Sequence, residues 1–347
     1  MSNHLRLSSS KIATLKRCSK KYYFRYVEKL QPRITKAPPR LGTMVHDGLR
    51  AHWMGEDPNA AIEFAWKQGI AGFPFELQAE DTENYNLAVN VVNRWIQRHK
   101  YFRSPDEYDY LPPEYRFSVV IPTPGRKSKS HTELIGYFDR VIMVPGEGIW
   151  LVEHKSTEQS LDGFFENLDL HEQLDYYLWA LDYKFGKHQP VMGAIVNGIK
   201  LKMPKKPDVL KSGDRLSKAK IETDYETYLQ AILENGFDPA DYTEQLERLS
   251  LIPDPFMRTE WIDRGREHLR NIEEELYWIS REVRQSLKLG SFTRTRSTGR
   301  CGWDCEYKEL CLASLKGGDI QGIIEDNFTT EEERETFHSE QPEQGPF

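Results

Sequence analysis

The chain has 347 residues, of which 38% are hydrophobic, so it can bury a substantial core, and its length fits one large domain or two ordinary ones. A formal net charge of −7 excludes a protein that coats nucleic acid by bulk electrostatics, while leaving room for a local basic groove. No apolar run approaches the roughly 20 residues that span a bilayer, and the opening MSNHLRLSSSK has no apolar signal core. The expectation is a soluble, intracellular (cytoplasmic) protein with no membrane partner, whose four cysteines are free thiols or metal ligands rather than disulfides.

Taken in order, SKIATLKRCSKKYYFRYVEKL spaces Ile12, Leu15, Tyr22, Tyr23 and Tyr26 at helical intervals with basic residues between them, and QPRITKAPPR ends that helix. LGTMVHDGLRAHWMG predicts a second helix, and the stretch from 60 to 103, broken at GFPF, predicts more helix closing in NYNLAVNVVNRWIQRHKYF. The texture then changes. EYRFSVVIP, TELIGYFDRVIMVP and GIWLVEHKS are short, rich in β-branched and aromatic residues and bounded by Pro and Gly, which predicts three strands in a meander. LDLHEQLDYYLWALDYKFG reads as helix and PVMGAIVNGI as strand, so an α/β crossover unit comes next. KLKMPKKPDVLKSGDRLSKAK is a Lys-dense loop, and helices are expected near 222–235 and 264–288. The acidic end, EEERETFHSEQPEQGPF, is too poor in apolar residues to build a core and is expected to be disordered.

The chemistry concentrates at the end of the third strand. GIWLVEHKS is apolar from Ile149 to Val152 and then carries Glu153 and Lys155 on one face, with His154 on the other. A single Glu-x-Lys is ordinarily a structural pair. Asp139, after Gly136 on the preceding strand, changes its meaning, because an antiparallel neighbour brings a second carboxylate beside Glu153. Two adjacent carboxylates repel unless a hard cation sits between them. A Mg²⁺ or Mn²⁺ ion held by Asp139, Glu153 and the carbonyl of His154, with Lys155 beside the bound water, is an arrangement for phosphodiester cleavage.

GYFDR followed by WLVEHKST resembles the G-x-x-D…(D/E)-x-K core of the PD-(D/E)XK nuclease superfamily, specifically its RecB-like branch. GTMVHDGL is similar to that branch's G-x-x-x-H helix, which implies His46 as a further metal ligand, and QLDYY is similar to its Q-x-x-x-Y motif, which maps onto Gln173 and Tyr177. Those two share a helix face and could reach Lys155 or a DNA phosphate. Arg40 and Glu114 also resemble family positions; Arg40 reads as a surface charge, and Glu114 is retained as a candidate catalytic residue. Without the strands, a core histidine and an amphipathic-helix Gln–Tyr pair would be the ordinary readings.

Cys18, with Cys301, Cys305 and Cys311, resembles the split cluster of the iron–sulfur members, among them AddB-type helicase–nucleases and CRISPR-adaptation nucleases. Four thiolates suit [4Fe–4S] or Zn²⁺. The C-x3-C-x5-C spacing departs from the family's usual two-residue first gap, and ordinary unligated thiols stay open. The basic residues available for DNA phosphates are Lys127 and Lys129 in one turn, with Lys202, Lys205, Lys206, Lys211 and Arg215 in the later loop.

The fold expected is α/β: a restriction-endonuclease-like mixed central sheet flanked by helices, with an N-terminal helical region and a C-terminal iron–sulfur clamp. One nuclease domain over 1–318 comprises a helical part (1–110), the catalytic sheet core (111–200), the basic loop and helices (201–289) and the cysteine segment (290–318), with an acidic tail over 319–347. The resemblance implies a metal-dependent deoxyribonuclease, an exonuclease on ends or single strands serving recombination, repair or phage-type DNA processing. Any helicase would be a separate partner. The competing expectation is a nuclease-derived DNA-binding or scaffold module that has lost catalysis.

Overall fold

The computed structural model describes residues 4–33, 37–70, 81–99, 109–124, 131–303 and 305–329. The strands, in chain order, are β1 (His4–Leu7), β2 (Gln31–Pro32), β3 (Asp109–Leu111), β4 (Tyr115–Val120), β5 (His131–Phe138), β6 (Arg140–Val144), β7 (Gly148–Thr157), β8 (Val191–Lys200), β9 (Met257–Ile262) and β10 (Phe328–Thr329). Where the sequence predicts one domain, the chain forms two compact units: Lys36–Arg116 with Tyr137–Gly265, and Met1–Thr35 with Phe117–Gly136 and Arg266–Phe347.

The first of these units is built on a mixed sheet in the order β3-β6-β7-β8-β9. β6 and β7 are antiparallel, with Arg140 opposite Val152, and β7 runs parallel to β8. That parallel step requires a crossover, which the Leu161–Glu166 and Glu172–Phe185 helices supply, as the strand–helix–strand pattern predicts. The Ala37–Trp53, Pro58–Gly69 and Thr82–Arg98 helices form a helical layer. In the last, Ala88, Val91, Val92 and Trp95 fall at i, i+3, i+4 and i+7, and all four are buried in one core with Leu41, Val45, Leu49 and Ile62.

TELIGYFDRVIMVP does not form one strand. It breaks at Asp139 into β5 and β6, which belong to different sheets, so the expected meander is two antiparallel fragments. β9, the antiparallel partner of β8, lies outside the expected elements: MRTEWI mixes charges into its apolar positions, as an edge strand allows. The Lys-dense segment is a loop whose one isolated bridge joins Val209 to Leu216.

In the other unit the sheet order is β1-β5-β4, with β1 parallel to β5. The expected N-terminal helix breaks at Cys18. Ser9–Arg17 is helical, Cys18 is extended at φ −168°, and a short helix Ser19–Tyr22 continues into a π-helical turn, Tyr23–Val27. The tail expected from 319 is also corrected. Ile320–Asn327 is helical, and Phe328 pairs with Pro32 in a β10–β2 ladder, buried against Tyr307 with ring centroids 5.3 Å apart. Phe328 joins that core and Ile323 and Ile324 pack against it, so residues 320–329 form regular structure despite the acidic character of the segment.

Candidate active site

Glu153, at the buried end of β7, is 1% exposed. The β6–β7 register sets Asp139, the residue before Arg140, opposite it. Asp139 Oδ2 accepts from the His154 amide at 2.9 Å, and its Oδ1 lies 3.2 Å from His46 Nε2. Burial pushes the Glu153 carboxyl up to about 7, with the Asp139 charge adding to the rise. Asp139 moves the other way: burial raises it, but the hydrogen bond and charge of His46 hold it below the ordinary range. One carboxylate of the pair is therefore ionised and the other is poised to be, and Glu153 Oε2 has no hydrogen-bond partner among the described residues. Such an orphaned, buried oxygen is costly unless something outside the protein satisfies it.

His46 stands on the Ala37–Trp53 helix. Gly42, one turn earlier, lets the helix approach β7: a Cβ there would sit 3.2 Å from Ser156 Oγ. The hydrogen bonds to Asp139 and then Asp47 raise the imidazole to about 10. Its Nε2 is also 3.5 Å from Glu114 Oε1. Glu114 holds the left-handed conformation at φ 54°, its amide donating to the Asp139 carbonyl at 3.0 Å, and burial raises its carboxyl. His46, Glu114 and Asp139 thus offer three ligand atoms within 4.8 Å of one another.

Lys155 Nζ donates to Glu153 Oε1 at 2.6 Å and to Gln173 Oε1 at 2.7 Å. Burial alone would lower this ammonium, but Glu153 and Asp139 overcome it and hold it charged. Gln173 therefore reaches Lys155 as its place one turn before Tyr177 suggests. Tyr177 is buried edge-on against Phe138 at 5.9 Å, next to Asp139 in the chain.

The other face of β7 carries a cage that the sequence did not announce. The His154 ring is stacked on Trp53 and meets Trp95 edge-on, and Trp53 Nε1 donates to His154 Nε2 at 3.1 Å. Burial holds His154 down at about 4, so it is neutral. The buried Arg140 guanidinium covers the Trp53 ring at 4.2 Å and pairs with Asp109. This packing fixes the strand segment whose amide grips Asp139. Arg40 is no surface charge: its side chain is largely buried and pairs with the buried Asp81.

Among the basic loop residues, Lys202 pairs with Glu222 and Lys206 with Glu234, while Lys205, Lys211 and Arg215 are exposed. Lys127 and Lys129 lie outside the described residues.

In the unit containing both termini, all four cysteines line one cavity of about 410 Å³. The extended Cys18 accepts from the Thr295 amide at 3.5 Å, and Cys301 Sγ contacts the Thr295 carbonyl at 3.4 Å. Arg17, Lys20, Arg294, Arg300 and Lys308 share the cavity wall, and burial, then the charge of Arg294, lowers the Lys20 ammonium. The wall thus favours negative charge.

Residues 6–312 match the PD-(D/E)XK nuclease superfamily. Among solved structures, the chain is similar to a "Putative exonuclease" from Eubacterium rectale at 11% identity and a TM-score of 0.45, over 83% of this chain and 84% of that one. No curated protein matches by sequence. A family match over most of the chain, on a mixed α/β fold, identifies the protein as a member of the PD-(D/E)XK nuclease superfamily.

Proposed function

We propose that the protein is a Mg²⁺- or Mn²⁺-dependent deoxyribonuclease that hydrolyses phosphodiesters at the Asp139–Glu153–Lys155 site. The observation that carries this reading is the buried carboxylate pair, with one oxygen of Glu153 unsatisfied and the ligand atoms of His46 and Glu114 converging on Asp139. The donor set fits a hard divalent cation: carboxylates dominate and one imidazole joins them. Asp139, Glu153, His46 and the carbonyl of His154 would hold the ion, with Glu114 beside them. When bound, it would polarise the phosphate and acidify a water.

The chain's own groups do the rest. Lys155, kept charged and fixed by Glu153 and Gln173, orients the attacking water and offsets charge developing on the phosphate. Gln173 holds that ammonium in place, and Tyr177, one turn on, shares its helix face. His154, neutral and caged, contributes backbone groups rather than proton transfer. The exposed Lys205, Lys211 and Arg215 serve the DNA backbone, as do Lys202 and Lys206 once their surface pairs, worth little in water, are exchanged for phosphates.

The resemblance to the RecB-like branch directs the reading to DNA ends or single strands, in recombination, repair or phage-type processing, with unwinding left to a helicase partner. The same resemblance supports a [4Fe–4S] cluster on Cys18, Cys301, Cys305 and Cys311, and the cavity's basic wall suits an anionic thiolate centre. Zn²⁺ is the alternative occupant, since four thiolates suit either group.

The test is incubation with end-labelled linear and closed circular DNA in Mg²⁺, Mn²⁺ or EDTA. Linear DNA should be degraded with either metal and spared in EDTA, and circles should survive. Cut circles would overturn the end preference, and intact DNA in every condition would favour the inactive scaffold.

A further inference from the structure

We propose that His4, His131 and Glu133 form a second metal site, for a transition-metal dication such as Zn²⁺, on the sheet of the unit that contains the termini. β1 runs parallel to β5 with His4 opposite His131 and Arg6 opposite Glu133. His131 and Glu133, two apart on β5, share a face, and the cross-strand partner brings His4 onto it. The three side chains offer ligand atoms within 4.8 Å of one another. The rings are 4.6 Å apart in an edge-on contact, with His4 Nδ1 2.8 Å from His131 Nε2.

The carboxylate closes the group. His4 Nε2 is 3.1 Å from Glu133 Oε2, and His131 Nε2 is 3.6 Å from Glu133 Oε1. Arg6 Nε donates to His4 Nε2 at 3.1 Å, which makes that nitrogen the unprotonated one and leaves Nδ1 to donate to His131 Nε2. Both Nε2 nitrogens therefore accept, from Arg6 and from His4 Nδ1, beside one carboxylate. The Arg6 guanidinium supplies the positive charge there, 3.5 Å from Glu133 and half-exposed, and a dication bound by the three side chains would displace it into solvent. Ser118, on the neighbouring β4, donates to Glu133 Oε2 at 2.8 Å and orients the carboxylate, as outer partners of metal ligands do.

Two imidazoles and one carboxylate select Zn²⁺, Co²⁺ or Ni²⁺ over Mg²⁺ and leave a fourth position open. This is the opposite preference to the carboxylate-dominated group at Asp139. The site's role is to fasten β1, a four-residue strand at the N-terminal end, to the sheet; β1 leads directly into the helix that ends at Cys18.

The test uses the full chain without a polyhistidine tag, carrying its native cysteine-bound group, and measures Co²⁺ by equilibrium dialysis in excess Mg²⁺. One Co²⁺ per chain should remain bound in the wild type and in Asp139→Ala, without a thiolate charge-transfer band, and amide exchange across residues 4–7 should slow on binding. His131→Ala, His4→Ala and Glu133→Gln should each lose that equivalent. Should His131→Ala fold poorly, Glu133→Gln decides the matter, since its shape is unchanged. Retention of Co²⁺ in Glu133→Gln or His4→Ala, or no Mg²⁺-resistant Co²⁺ in the wild type, overturns the proposal.

Discussion

The carboxylate site and the cysteine cavity are the two places proposed to receive a charged group, and they are assembled differently. Asp139, Glu153 and Lys155 come from two adjacent strands, and their hydrogen bonds with His154, His46 and Gln173 already hold them in place. The cysteines come from opposite ends of the chain: Cys18 and Cys301 meet Thr295, while Cys305 and Cys311 pack against the core around Phe24 and Tyr307. On the proposed reading, the first site is assembled by the fold and takes an ion for chemistry, whereas the second takes a group that ties the two ends of the chain together.

The largest test of that contrast is catalytic. Asp139→Ala or Glu153→Ala should lower cleavage by about 10²–10³-fold or more, the scale for losing one element of a preorganised electrostatic site, with DNA binding retained. Near wild-type rates in either variant would show that the site is elsewhere. Lys155→Ala should be comparably inactive yet still bind Mn²⁺ by calorimetry; lost Mn²⁺ affinity would mean that the ammonium shapes the ligand set.

Cys18→Ser should act on stability instead. Closing a loop between the two ends of the chain is worth on the order of several kcal/mol, by analogy with a long disulfide loop. Anaerobically purified wild type should be brown with about four irons per chain, and the variant should be colourless with a lower Tm. An unchanged Tm, or neither iron nor zinc in the wild type, would erase the contrast between the sites.

The smallest effect is a pH dependence in EDTA. Because Glu153 holds its proton to about 7 when folded and to 4.5 when unfolded, the native state binds more protons between those values. Neutral His154 works in the opposite sense over much of the same window, so the effect is read as a difference: the stability of the metal-free wild type relative to Glu153→Gln should fall as pH rises from 4.5 to 7, by on the order of 3 kcal/mol at most, and then level off. Denaturant titrations of both proteins at pH 4.5 and 8 would measure it, and a difference that does not change with pH would assign the proton to another group.

Much of the carboxylate site was legible because its motifs are local. A two-residue spacing fixes a strand face, and a four-residue spacing fixes a helix face, so Glu153 with Lys155 and Gln173 with Tyr177 could be placed from sequence. The cage around His154 was not legible. Trp53, Trp95 and Arg140 meet it only through tertiary packing, and each alone reads as core or surface. The break at Asp139 was hidden because Phe138 and Val141 continue the apolar strand pattern on either side. Cys18 looked helical because the periodicity runs through it, while its extended backbone, which separates two helices, has no local signal such as Pro or Gly. β1 was too short to stand out, and its pairing with β5 is what joins the two histidines.

Glu114 carries a further consequence. A non-glycine residue in the left-handed region costs on the order of 1 kcal/mol, and this one donates a hydrogen bond from its backbone N–H to the Asp139 carbonyl. Glycine at that position would relax the backbone and delete the carboxylate facing His46. Selection for heat resistance alone would favour that exchange, and selection for the reaction would oppose it. In a library scored for both properties, position 114 should mark where durability and turnover part company.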